Sequence, residues 1–146
     1  MKVTAYKSHL STGEDVRLDS APRTVEDCLM TELPTAAAAL SPLDPLAISR
    51  DIRDSYHNSS LVSVNDHEIR MSIMTEGFAW HHHPNSDESF LVIDGELVLK
   101  FHDREVVLKP GQFLTVPRGV SHRTRPAGAR SVNLTFEKAG AETIFD

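Results

Sequence analysis

One cysteine, Cys28, is the only thiol in the chain. That excludes an intramolecular disulfide and any thiolate cluster for holding a metal. Long apolar runs are missing as well, so no segment reads as a bilayer span, and Met1 to Val16 lack the apolar core of a signal peptide. An excess of positive charge is also absent: the formal net charge is −6. Nucleic acid and anionic membrane both call for basic patches, so neither is expected as a general partner. Only Arg118, Arg123, Arg125 and Arg130 gather locally, around His122. No internal repeat or low-complexity tract stands out. A cytoplasmic chain is the expectation that these absences leave.

What is present fits one globular domain: 146 residues, 40% hydrophobic and 25% charged. The first 58 residues differ from the rest. Thr24 to Asp27 resembles a capping box, and Pro34 stops any helix near Leu33. Asp44-Pro45 is a second helix start, with Asp44 as N-cap and Pro45 at the first helical position. This stretch reads as a partly helical N-terminal extension that serves as lid, packing layer or dimer arm. From about residue 59 onward the period becomes two. Leu61 to Val64 is a strand, and Asn65-Asp66 a turn. Ile69, Met71 and Ile73 alternate with Arg70, Ser72 and Met74, as in a half-buried strand. Ser89 to Ile93 leads to Asp94-Gly95, a hairpin signal. Leu97, Leu99 and Phe101 share one face of the next strand, with His102-Asp103 at its tip. Val106 and Leu108 return, Pro110-Gly111 turns, and Val132 to Phe136 closes the series. Short strands between evenly spaced turns point to an all-β barrel or sandwich over residues 59–146.

The chemistry gathers in Gly77 to Gly95, GFAWHHHPNSDESFLVIDG. Strand alternation turns His81 and His83 to one face and His82 to the other. A break in that alternation at the Pro84 turn would make His82 a ligand instead. Pro84-Asn85-Ser86 is turn chemistry and brings Glu88 back toward the histidine pair. Two imidazoles and a carboxylate converging on one spot suit a first-row metal. A second stretch, Gly111 to His122 (GQFLTVPRGVSH), offers a further nitrogen ligand in His122. There Pro117 is placed at the second position of a type I turn and Gly119 at its fourth.

These two stretches resemble the paired motifs of the cupins. The first is carried by His81, His83, Glu88 and Gly95, the second by Gly111, Pro117, Gly119 and His122. The resemblance spans roughly residues 60–138 and implies an all-β double-stranded β-helix, a cupin jelly-roll barrel. It implies one divalent metal held by His81, His83, Glu88 and His122, and a homodimer. Two departures stand out: Gly77 lies closer to the first histidine than usual, and Pro126 stands where the second motif ends in asparagine. Three histidines and a glutamate leave octahedral positions open, as catalytic sites require. Iron, manganese, nickel and zinc all suit the mixed nitrogen and oxygen set.

Around the ligands, Phe78, Trp80 and Phe113 are candidates for an apolar pocket wall, with Arg123 and Arg125 as a positive rim for an anionic substrate. Asp87 faces away from the site or supports a ligating histidine. Cupins carry out oxygenation, isomerisation, decarboxylation and lyase chemistry. The resemblance therefore implies a metal-dependent enzyme acting on a polar or anionic small organic molecule without choosing the reaction. A non-catalytic metal or small-ligand binding or sensing module is the alternative, and a metal-free structural barrel a third reading.

Overall fold

The computed structural model describes residues 40–146; the helix expected after Thr24 lies outside them. The chain enters through α1, Pro45–Ser49, where the Asp44 side chain accepts from the Ala47 N–H at 2.9 Å and Pro45 opens the helix. This is the cap that the Asp-Pro pair predicts. Eight strands follow: β1 Tyr56–Val64, β2 His67–Met74, β3 His81–His82, β4 Glu88–Lys100, β5 Glu105–Leu108, β6 Phe113–Val116, β7 Arg123–Lys138 and β8 Ile144–Phe145. All pair antiparallel, in the order β1-β2-β7-β4-β5, with β6 also on β4 and a separate β3-β8 pair. This is the all-β architecture expected, although β1 already begins at Tyr56, ahead of the 58/59 boundary.

Cross-strand partners share a face, and the register therefore sorts side chains into two groups. Ile73 lies opposite Val132 and Met71 opposite Leu134. These residues form an outer cluster covered by Ile48 and Ile52 from the α1 region, and Arg130 donates to the Ser49 carbonyl beside it. Met74, Phe90, Val92, Leu97, Leu99, Phe101, Leu108 and Val116 form the second cluster, inside the barrel. β2 is thus not half-buried as its alternation suggests: Met71 to Met74 are buried on both faces. Met71 and Ile73 face outward toward Ile48 and Ile52, while Glu68, Arg70 and Ser72 face the interior cavity. Alternation reports that two faces differ, not which is inside.

The hairpin expected at Asp94-Gly95 does not form. β4 runs through it for 13 residues and bulges against β7 on either side, between Val92 and Asp94 and between Gly95 and Leu97. A two-residue hairpin with Asp-Gly needs positive φ at both positions, whereas only Gly95 has it, at +68°. A Cβ on Gly95 would lie 2.2 Å from the Arg130 carbonyl oxygen, so this glycine permits close strand approach rather than reversal. The chain reverses instead at the His102-Asp103 tip, where the Phe101 N–H donates to the Arg104 carbonyl at 2.8 Å, and at Pro110-Gly111. Pro126 lies buried within β7, opposite Leu97.

Candidate metal centre

Alternation along β3 behaves as its sequence requires. His81 and His83 are buried and point inward, while His82 points outward and donates from Nδ1 to the Asp146 carboxylate at 2.9 Å. Pro84 to Ser86 then reverses the chain so that Glu88, the first residue of β4, faces the same spot. The second motif meets the first through backbone bonds. His81 and His122 exchange N–H···O=C bonds of 3.0 and 2.9 Å, and the Gly119 N–H donates to the His83 carbonyl at 2.8 Å. The turn that delivers His122 differs from the expected one: the Val120 N–H donates to the Pro117 carbonyl, and Gly119 has φ +78°. Pro117 is therefore its first residue and Gly119 its third, the type II arrangement. Asp87 faces away from the ligands and accepts from the Arg118 N–H at 2.8 Å, which ties this turn to β4.

One donor atom from each of His81, His83, Glu88 and His122 lies within 4.8 Å of every other, and all four residues are buried. Each imidazole has its Nδ1 against a backbone carbonyl: Ala79 for His81 at 2.9 Å, Glu142 for His83 at 2.8 Å and Val120 for His122 at 3.0 Å. Only a protonated nitrogen makes such a contact, so Nδ1 carries the hydrogen and Nε2 faces the cluster. The Glu88 Oε2 lies 3.1 Å from Nε2 of His83 and 3.2 Å from Nε2 of His122. Neutral Nε2 lone pairs aimed at a carboxylate oxygen repel unless a cation joins them. Three rings locked in this tautomer around a buried carboxylate therefore fit a divalent metal.

The charges agree with that fit. Burial penalises the Glu88 carboxylate. With no metal bound, Nε2 of His122 and His83 must carry protons to meet it; their hydrogen bonds then outweigh the burial and hold its pKa down to about 2, and a divalent ion would take the place of those protons. His83 is raised by its hydrogen bond to Glu88, whereas burial lowers His81. The cluster thus keeps its carboxylate ionised and one imidazole readily neutral, the states that ligation requires.

Beside the cluster lies a cavity of about 320 Å³. Phe78 belongs to its wall, edge-on to His81 with ring centres 4.9 Å apart and stacked on Tyr56 at 4.7 Å. The opposite wall is polar. Arg70 donates from Nε to Asn58 at 2.7 Å and from Nη1 to Glu68 at 2.9 Å, and its Nε lies 3.4 Å from Glu137. Asn58 in turn donates to the Ser72 hydroxyl at 3.0 Å. Burial raises Glu137 and likewise Tyr56.

The other expected wall residues lie elsewhere. Trp80 stacks on His102 at 4.6 Å and under the Arg123 guanidinium at 5.3 Å, outside the cavity. Phe113 is 54% exposed and packs on Phe136. Arg125 reaches toward Glu105 at 3.7 Å. Alternation explains the two arginines: with His122 and Thr124 facing inward, Arg123 and Arg125 must face outward. The expectation of a positive rim on this cavity is therefore corrected. Sequence reasoning missed Asn58, Glu68, Arg70 and Glu137. For Glu68 and Arg70 the signal was the polar stripe of β2; Asn58 comes from β1 and Glu137 from β7, and only strand pairing brings them to it.

An antiparallel barrel with three histidines and a glutamate converging inside it defines the cupin class, and the chain belongs to the cupin family. The Cupin domain model matches residues 69–136. Over 101 residues the chain is 45% identical to YdbB of Bacillus subtilis (strain 168), covering 68% of this chain and 88% of that protein. Among solved structures it superposes on a cupin-2 domain containing protein from Shewanella frigidimarina with a TM-score of 0.62 at 22% identity, over 66% of this chain and 94% of that one. The DMSP lyase DddQ from Ruegeria pomeroyi shares the fold at a TM-score of 0.56 and 17% identity, over 63% of this chain and 52% of that one. Among the described residues no helix is long and apolar enough to cross a membrane.

Proposed function

We propose that this cupin is a small metal-dependent enzyme acting on a polar organic molecule that occupies the cavity beside His81, His83, Glu88 and His122. The observation that carries this reading is the polar wall. Asn58, Glu68, Arg70 and Glu137 lie outside the ligand cluster, yet they line the same cavity. A purely structural metal clamp has no use for such a surface. A divalent ion held there, iron, manganese, nickel or zinc, would polarise a bound oxygen as a Lewis acid. The chain's own residues do the rest. Phe78 supplies an apolar edge, the Arg70–Asn58 pair orients a polar group, and Glu137, its pKa raised by burial, holds or releases a proton.

The wall carries Glu68 and Glu137 against a single Arg70. An anionic group has only the ion and an already flanked guanidinium to meet. Hydroxyl- or amine-bearing molecules suit the wall better than polyanions. The family resemblance supports a homodimer, which sedimentation of the purified protein tests, and the lone cysteine fits a reducing, cytoplasmic compartment.

Elemental analysis of the full chain, followed by a thermal-shift and NMR turnover screen of polar metabolites on the metal-loaded protein, tests the main reading. Stoichiometric metal with a ligand whose turnover is lost in Glu137→Gln is expected. Saturable binding without turnover would point to a sensing module, and absence of metal would refute the reading.

A further inference from the structure

The three metal-facing imidazoles are not braced alike. His81 and His122 each donate Nδ1–H to a carbonyl two residues earlier in their own segment. His83 instead donates to the carbonyl of Glu142, 59 residues downstream, at 2.8 Å. That carbonyl belongs to residues 139–146, which also contribute Gly140, Ala141 and Thr143 to the cavity wall.

Beyond the Ala139 N–H, which donates to the Asp66 carbonyl at 2.9 Å, this segment has three anchors. The Asn85 amide straddles it, donating to the Gly140 carbonyl at 3.3 Å and accepting from the Glu142 N–H at 2.9 Å. β8 pairs with β3, setting Ile144 opposite His82 and Phe145 opposite His81. Asp146 accepts from His82 and from the Ser121 hydroxyl, and its own N–H donates to the Trp80 carbonyl at 3.2 Å. One short stretch therefore closes part of the cavity and orients one ligand.

We propose that residues 139–146 form a strap that positions His83 for the metal, with Asn85 setting the place of the Glu142 carbonyl. Strap closure and metal binding are then a single coupled equilibrium. The proposal rests on the four-residue cluster being a metal site. Its physical basis is the partner of the far ring nitrogen, which fixes the ring's orientation and raises its basicity. Losing such a partner costs about 10–100-fold in metal affinity. Coupling is reciprocal, so whatever factor the strap contributes to the metal, the metal returns to the strap.

The test uses the full-length protein with zinc alone as probe. Affinity is measured by competition with a chelating indicator, and exchange of the strap amides is followed with and without zinc. Asn85→Ala should bind zinc about 10–100-fold more weakly while its metal-free melting point stays near that of the unaltered protein. Zinc should slow exchange at the Glu142 amide of the unaltered protein by a matching factor. Glu142→Ala should change nothing, because the brace is a carbonyl and not the side chain. Should Asn85→Ala not fold, Asp146→Ala loosens the strap at its other end and should weaken zinc in the same direction. Stoichiometric zinc in the unaltered protein with affinity unchanged in Asn85→Ala, or in Asp146→Ala where that stands in, overturns the strap alone. So does an equal loss in Glu142→Ala. If the unaltered protein takes up no zinc or other divalent metal, the metal-centre reading falls and the strap proposal with it.

Discussion

Gly95→Ala should be among the most damaging single-methyl additions in the barrel. The residue sits at φ +68°, where an alanine costs about 1–2 kcal/mol in backbone strain alone. Its Cβ would also meet the Arg130 carbonyl oxygen at 2.2 Å. That oxygen is backbone in β7, whose neighbour Ser131 pairs with Gly95 itself, so it has no free side chain to swing aside. Separation to ordinary contact needs a shift of roughly 1 Å across the β4–β7 pair, and forced overpacking of this kind adds about 1–3 kcal/mol. The total, about 2–5 kcal/mol, should lower the melting point on the order of 10–20 °C for a domain of this size. Gly111→Ala provides the control. Its φ is +82° but no heavy atom lies within 4 Å of the added Cβ, so only the backbone cost applies and a fall of about 5 °C is expected. Calorimetry on chelator-treated protein measures both. Equal losses in the two variants would refute the assignment of Gly95 to close strand approach.

Zinc at a hundred times its Kd should stabilise the protein by about 2.7 kcal/mol, and a chelator should remove that increment. His122→Ala should show no such increment at all, which thermal melts with and without metal will decide. In metal-free protein, Glu88 contributes stability that is complete above its unfolded pKa of 4.5 and is lost as pH falls toward about 2. The lowered pKa of His81 acts in the same direction, beginning below 6.5. Denaturant titrations across that range should therefore show acid sensitivity that Glu88→Gln blunts; an unchanged profile would count against the carboxylate's role. Arg125→Ala and Phe113→Ala should leave metal stoichiometry and ligand binding untouched, since neither lines the cavity. Isothermal titration of each variant checks this.

The convergence of His81, His83 and Glu88 was legible because strand parity and a turn are local. His81 and His83 two apart, Pro84 to Ser86 as the reversal and Glu88 after it place three donors without any long-range knowledge. Parity counted from His122 would also have turned Arg123 and Arg125 outward. Asp94-Gly95 misled because a hairpin and a bulge ask for the same dipeptide, and only the pairing of β4 with β7 distinguishes them. The polar wall was harder. Glu68, Arg70 and Ser72 read as a solvent face until Ile48 of α1 and Ile52 just beyond it are seen to cover the opposite stripe. Bringing Glu137 opposite Glu68 requires the β2–β7 register, which no short window contains.

Every ring at the centre is braced by main chain: the carbonyls of Ala79, Val120 and Glu142. A peptide oxygen stays in place whatever side chain its residue carries. Evolution is thus free to vary positions 79, 120 and 142 in size and polarity while the imidazoles keep their tautomer and aim. An engineer has the same licence and can redecorate the surroundings of the site at these three positions without retuning its ligands. The support of this centre is inherited through the path of the backbone, and drift in residue identity there leaves it intact.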